Sequence, residues 1–229
     1  MTDYNEAIAA IPMPRRMRSL PVSDKGFPVP WFVQWLNDKG EPCRPGVGKP
    51  DFRVMDSNKF RSILHGFPYC WVCGGVMGVH QVFSIGPMCS INRIISEPPS
   101  HRSCAEYSVR ACPFLSKPKM RRNEKDLPGT EETRQVAGIH IDRNPGVVCL
   151  WETMSYRPFK AGPGVLFKLS DPIRTDWYCE GRPATRAEVL AAIESGYPLL
   201  EQLAKTEGNG ALEELTERRR VVVETLVPA

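Results

Sequence analysis

Cys70-Trp71-Val72-Cys73-Gly74-Gly75 is the stretch of this sequence best equipped for chemistry. Two cysteines separated by two residues can turn both thiolates toward one ion. Gly74 then lets the backbone fold back so that N–H groups point at the sulfurs. A second pair follows in Pro98-Pro99-Ser100-His101-Arg102-Ser103-Cys104. The prolines stop the preceding chain, Ser100 is placed to cap a helix, and His101 and Cys104 share one face of its first turn. Cys70, Cys73, His101 and Cys104 together make a Cys₃His set, a usual tetrahedral zinc site. The 27 residues between Cys73 and His101 leave room for a strand pair at 76–86 and a short helix near 87–96.

Other ligand sets draw on the same residues. Cys89 in place of His101 gives four thiolates, and His80 with Cys89 gives the looser spacing Cys-x₂-Cys-x₆-His-x₈-Cys. Cys112-Pro113 has the Cys-Pro ending of iron–sulfur motifs, with Cys70, Cys73, Cys89 and Cys104 as partners. Against that, Ala105, Val109 and Cys112 follow helical spacing, which puts Cys112 on a buried face. A redox dithiol is the alternative for Cys70 and Cys73 alone, and the downstream His–Cys pair argues against it.

The order of a glycine knuckle, strands, and a helix donating two ligands from its first turn resembles treble-clef zinc fingers over about residues 69–113. The resemblance implies a structural zinc at Cys70, Cys73, His101 and Cys104. It implies no particular activity, because such modules serve in nucleases, ribosomal proteins, ubiquitin-related factors and interaction domains. The nuclease branch adds a catalytic histidine in the strand pair and a second His or Asn on the helix. Here His80 lies in the strand region, whereas the helix offers Tyr107 and Arg110. The rest of the chain resembles uncharacterised phage or mobile-element proteins.

The elements that must position these residues are short. Proline makes up 22 of 229 residues, roughly double the usual share of about 5%, which excludes a long helical bundle. With 41% hydrophobic and 24% charged residues, the chain can bury a core. Residues 1–29 are proline-punctuated and basic, and read as an arm lying on the surface. Strands are expected at 31–36 and 51–55, with a turn at 37–40 and a short helix capped by Asp56 or Ser57. Residues 116–134 read as a basic loop or linker. Further strands are expected at 135–141, 147–153, 164–169 and 174–179, spaced as an antiparallel meander. Thr185-Arg186-Ala187-Glu188 fits a capping box, Gly196 is expected to end that helix, and Pro198 to open the next. A last helix at about 211–226 carries Leu212, Leu215, Val222 and Leu226 as one stripe. The expected fold class is α+β: a zinc-stapled module over 30–115, then an antiparallel sheet with C-terminal helices over 135–229.

Eight cysteines in a chain with no signal-peptide pattern and no long apolar run point to the cytoplasm, to metal binding or burial, and away from membranes. The net charge of +4 is mild, but residues 101–125 hold seven cations against Glu106 and Glu124, a local excess of five. Arg102, Arg110, Lys117, Lys119, Arg121, Arg122 and Lys125 form a strip suited to neutralising phosphates. Other candidates have plainer readings. His140 and Asp142 would share a strand face, as an acid–base pair or a salt bridge. His65 suits a helix end, Cys149 and Cys179 suit a core, Cys43 a loop, and Arg218–Arg220 a solvated helix face. The expected function is a zinc-stabilised protein that binds nucleic acid through the strip. The alternatives are a protein-binding adaptor of the phage host-factor type and a metal-dependent hydrolase or nuclease.

Overall fold

The computed structural model describes residues 4–117, 120, 144–162 and 164–229. In chain order the elements are α1 (Glu6–Ala9), β1 (Val33–Leu36), β2 (Pro42–Cys43), β3 (Lys49–Met55), α2 (Ser57–Leu64), β4 (Gln81–Ile85), α3 (Pro87–Asn92), β5 (Ile94–Ile95), α4 (Arg102–Ala111), α5 (Pro113–Ser116), β6 (Val148–Thr153), β7 (Tyr156–Ala161), β8 (Gly164–Leu169), β9 (Arg174–Cys179), β10 (Arg182–Pro183), α6 (Arg186–Glu207) and α7 (Ala211–Val221). A π-turn over Val222–Leu226 follows α7. The architecture is mixed α and antiparallel β, with helices at the C-terminal end.

Strand β6 is buried along its whole length and lies between β4 and β9 in a sheet of order β10-β9-β6-β4. Its alternating side chains serve two cores, because successive residues of a strand face opposite ways. Cys149 and Trp151 join Phe83, Ile85 and Trp177 on the face covered by α3, α6 and α7. Val148 and Leu150 join Val82 and Tyr178 on the other face, under Ala105 and Val109 of α4. The sheet is thus sandwiched between the C-terminal helices and the helix that carries His101 and Cys104 near its start. Because β4 pairs with β6 from Gln81↔Thr153 to Ile85↔Cys149, the segments 30–115 and 135–229 share one sheet.

Several expectations change here. Residues 4–29 are no loose arm: Ile8 and Met17 are buried against Cys70, Cys104 and Tyr107, with Tyr4, Ile11, Met13, Leu20 and Phe27 around them. In place of a strand pair at 76–86 there is one strand, β4, plus an isolated bridge between Tyr69 and Val76. The expected helix near 87–96 stops at Asn92, where Arg93 turns left-handed (φ 60°) and leads into β5. The break at Gly196 and Pro198 does not occur, and α6 runs through both. Its buried residues Val189, Ala192, Ile193, Gly196, Tyr197, Leu200 and Ala204 keep one stripe across the proline, so core burial outweighs the lost hydrogen bond. Gly196 also admits Met88, which lies 3.0 Å from where a Cβ would stand. Strand β7 was not expected, since Arg157, Pro158 and Lys160 blur its alternation; it is the edge of the order β5-β8-β7, where a proline is tolerated. The expected strand at 135–141 lies outside the described residues, as do most residues of the expected loop.

Asn144, ahead of β6, is clamped to the end of α5. The Asn144 side chain, 2% exposed, donates to the carbonyls of Phe114, Leu115 and Lys117 at 2.6, 3.2 and 3.3 Å. Its backbone N–H donates to Met120 O at 2.9 Å.

Candidate metal centre

The knuckle at Cys70–Gly75 is closed by backbone bonds from Cys70 N–H to Gly75 O and from Gly74 N–H to Cys70 O, both 2.8 Å. Gly74 has φ +71°, and a Cβ there would lie 2.6 Å from the Trp31 ring, so only glycine fits. Trp71 N–H donates to Pro99 O at 3.0 Å, tying the knuckle to the segment ahead of α4. Ser100 does not cap that helix. It is bridged to Val82 of β4 by two backbone hydrogen bonds, and His101 takes the N-cap position instead. Cys104 follows on the first turn of α4.

These elements bring Cys70, Cys73, His101 and Cys104 together, with one ligand atom from each and all four within 4.8 Å of one another. Tetrahedral coordination of zinc with bonds of about 2.3 Å to sulfur requires sulfur–sulfur edges of about 3.8 Å. His101 Nδ1 stands 3.4 Å from Cys73 Sγ. On the other side of the ring, Nε2 lies 3.1 Å from the Val76 carbonyl, which can only accept. The neutral ring therefore carries its proton on Nε2 and turns the Nδ1 lone pair toward the three sulfurs, as a ligating histidine must. Val76 was invisible as a site residue in the sequence, because its contribution is a backbone oxygen.

Hydrogen bonds from Cys104 and Cys73 hold the Cys70 thiol well below its ordinary range, aided by N–H groups of Cys73 and His101 at 3.4 and 3.3 Å. Cys104 is held well above its ordinary range, chiefly by Cys70 and then by Cys73 and burial. Three crowded sulfurs cannot all carry charge unless a cation joins them, so the cluster can hold a metal ion.

The remaining candidates fall elsewhere. Cys89 packs on the main core, where burial pushes its thiol up to about 11. Cys112 ends α4 outside the cluster, and burial raises its thiol too. Cys149 and Cys179 are core residues as expected, Cys43 lies in β2 opposite Trp35 rather than in a loop and donates to Val47 O, and His65 is the C-cap of α2. His80 Nδ1 sits 3.0 Å from Glu152 rather than at the cluster. Arg218, Arg219 and Arg220 pair with Glu214, Glu194, Glu217 and Glu224. His140 and Asp142 lie outside the described residues.

In the basic strip, Arg102 turns inward. It meets Glu152 at 2.7 Å, Asp176 at 2.8 Å and Glu106 at 3.1 Å, and is committed to carboxylates of the fold. Burial opposes its charge, and Glu152, Asp176 and Glu106 outweigh that cost and keep it protonated. Arg110 is exposed, with its guanidinium 5.8 Å from the centre of the Tyr178 ring, and Lys117 is exposed. Lys119, Arg121, Arg122 and Lys125 lie outside the described residues.

Compared with known proteins, the chain matches no family model, no curated protein and no solved structure. Among the described residues no helix is long and apolar enough to cross a membrane.

Proposed function

We propose that this is a zinc-stabilised, treble-clef-like binding protein that contacts nucleic acid through its basic strip. The convergence of three cysteine sulfurs and a tautomer-fixed histidine within 4.8 Å carries the metal part of the reading. Zinc suits the set best, since Cys₃His is a structural zinc environment and the ligands are embedded among Ile8, Met17, Val72 and Met77. Such a centre holds shape and leaves no protein-free position for a reacting group, which favours binding over hydrolysis. Arg110 and Lys117 present exposed cations ahead of the sequence that bears Lys119, Arg121, Arg122 and Lys125. Arg102 has no part in this contact.

Fluorescence anisotropy with a short labelled oligonucleotide tests the partner. Binding should weaken steeply with salt, and charge reversal at Arg110, Lys117, Arg121 and Arg122 should lower affinity by about tenfold or more. Affinity that ignores both overturns the reading. A protein-binding adaptor is the second reading, favoured by exposed Phe67 (53%), Val76 (69%) and Val79 (60%) around the knuckle.

A further inference from the structure

The outer face of the β5-β8-β7 sheet carries an arrangement that costs stability unless something occupies it. Arg157 of β7 stands directly opposite Lys168 of β8, and residues in that relation project from the same face. Phe167 and Leu169, on either side of Lys168, are core residues, so both cations point to solvent. Among the described residues neither forms an ion pair. Like charges directly opposed across an antiparallel pair repel.

These two cations line a hollow of about 530 Å³ with Arg93, Ser155, Tyr156, Leu169, Ser170 and Asp171. Arg93 is held in place by its left-handed backbone, by Leu169 N–H donating to its carbonyl at 2.8 Å, and by Asp171 at 2.7 Å. The hydroxyls of Ser155 and Ser170 touch at 2.8 Å on the rim. Three cations against one carboxylate leave the hollow with a net charge of +2. Two hydroxyls that now satisfy each other can both turn to donate to an incoming oxygen.

We propose that this hollow binds a phosphate anion, with Arg157 and Lys168 neutralising its charge and Ser155 and Ser170 donating to its oxygens. Charge-assisted hydrogen bonds of this kind suit the oxygens of a tetrahedral phosphate better than chloride. The site uses no residue of the 102–125 strip, and so stands apart from the nucleic-acid reading. Its ligand is either a free phosphate group or a phosphate of a nucleic-acid backbone.

Amide NMR on the full chain separates these. Inorganic phosphate and, separately, a short single-stranded oligonucleotide are titrated at fixed ionic strength into the natural chain, Arg157→Glu/Lys168→Glu and Arg121→Glu/Arg122→Glu. Saturable shifts at residues 155–157 and 168–170, weakened about tenfold or more in Arg157→Glu/Lys168→Glu, support the site. If only phosphate gives them, the ligand is a free phosphate group; if the oligonucleotide gives them, it is a backbone phosphate. Sodium chloride reproducing the shifts, or no saturation by either probe, overturns the proposal. Oligonucleotide binding lost only in Arg121→Glu/Arg122→Glu, with no saturable phosphate shift at the hollow, also overturns it, while leaving the nucleic-acid reading intact. Both altered hollow residues are exposed, and unchanged shifts in the main core report that the fold is kept.

Discussion

Arg102 donates from Nε to Glu152 at 2.7 Å, and in doing so ties the residue after His101 of the Cys/His cluster to β6. His101 caps α4, Arg102 opens it, and Glu152 ends the face of β6 that α4 covers. Asp176, on the same face of neighbouring β9, accepts a second bond from Arg102 at 2.8 Å. The Cys/His cluster and the sheet are thus mechanically joined through one guanidinium.

Metal content follows the four ligands and no other cysteine. One zinc per chain is expected by mass spectrometry, lost in Cys70→Ser and His101→Ala and retained in Cys89→Ser. Chelation should lower stability by about 3–5 kcal/mol, a fall in Tm of roughly 10 °C in a thermal scan. A protein equally stable with and without chelator would contradict a structural metal.

Gly74→Ala should cost about 2–4 kcal/mol and weaken metal retention, since alanine is strained at φ +71° and meets the Trp31 ring. Urea unfolding together with metal content measures both effects, and an unchanged midpoint would refute the close contact.

The Asp176 carboxyl should shape the acid limb of stability. Burial raises its pKa, but Arg174 and Arg102 outweigh that and hold it below the ordinary range. A depressed carboxyl stabilises the fold above its unfolded value of about 3.9, and that contribution disappears as pH falls through the folded value. Asp176→Asn should therefore cost about 1 kcal/mol at pH 7, kept small by solvent screening. It should flatten the loss of stability below about pH 4. Parallel acid limbs in both proteins would count against this.

Lys168→Glu should raise stability by about 0.2–1 kcal/mol, because a cross-strand repulsion with Arg157 becomes an attraction. Chemical denaturation at low salt, where the effect is least screened, gives the sign.

What the sequence revealed was what is local. The ligands sit in two tight clusters whose spacing alone brings each pair together, and the Thr185–Glu188 capping box forms as read. The expected sheet strands at 147–153, 164–169 and 174–179 appear as β6, β8 and β9. What stayed hidden depends on distant partners. Ile8 and Met17 are scattered between prolines with no period, so only contact with the ligand cysteines marks them as core. Arg102 looks in sequence like its basic neighbours, and only Glu152 and Asp176, far along the chain, draw it inward. Pro198 breaks a helix in isolation, yet the stripe from Val189 to Ala204 continues past it under the pull of the core.

The Asn144 clamp has a consequence for the chain on either side of it. Because one side chain donates to the carbonyls of Phe114, Leu115 and Lys117, the end of α5 and the entry to β6 are fixed side by side. Asn144→Ala would remove that donor from three carbonyls at once, and so loosen the start of the strand on which both cores are built.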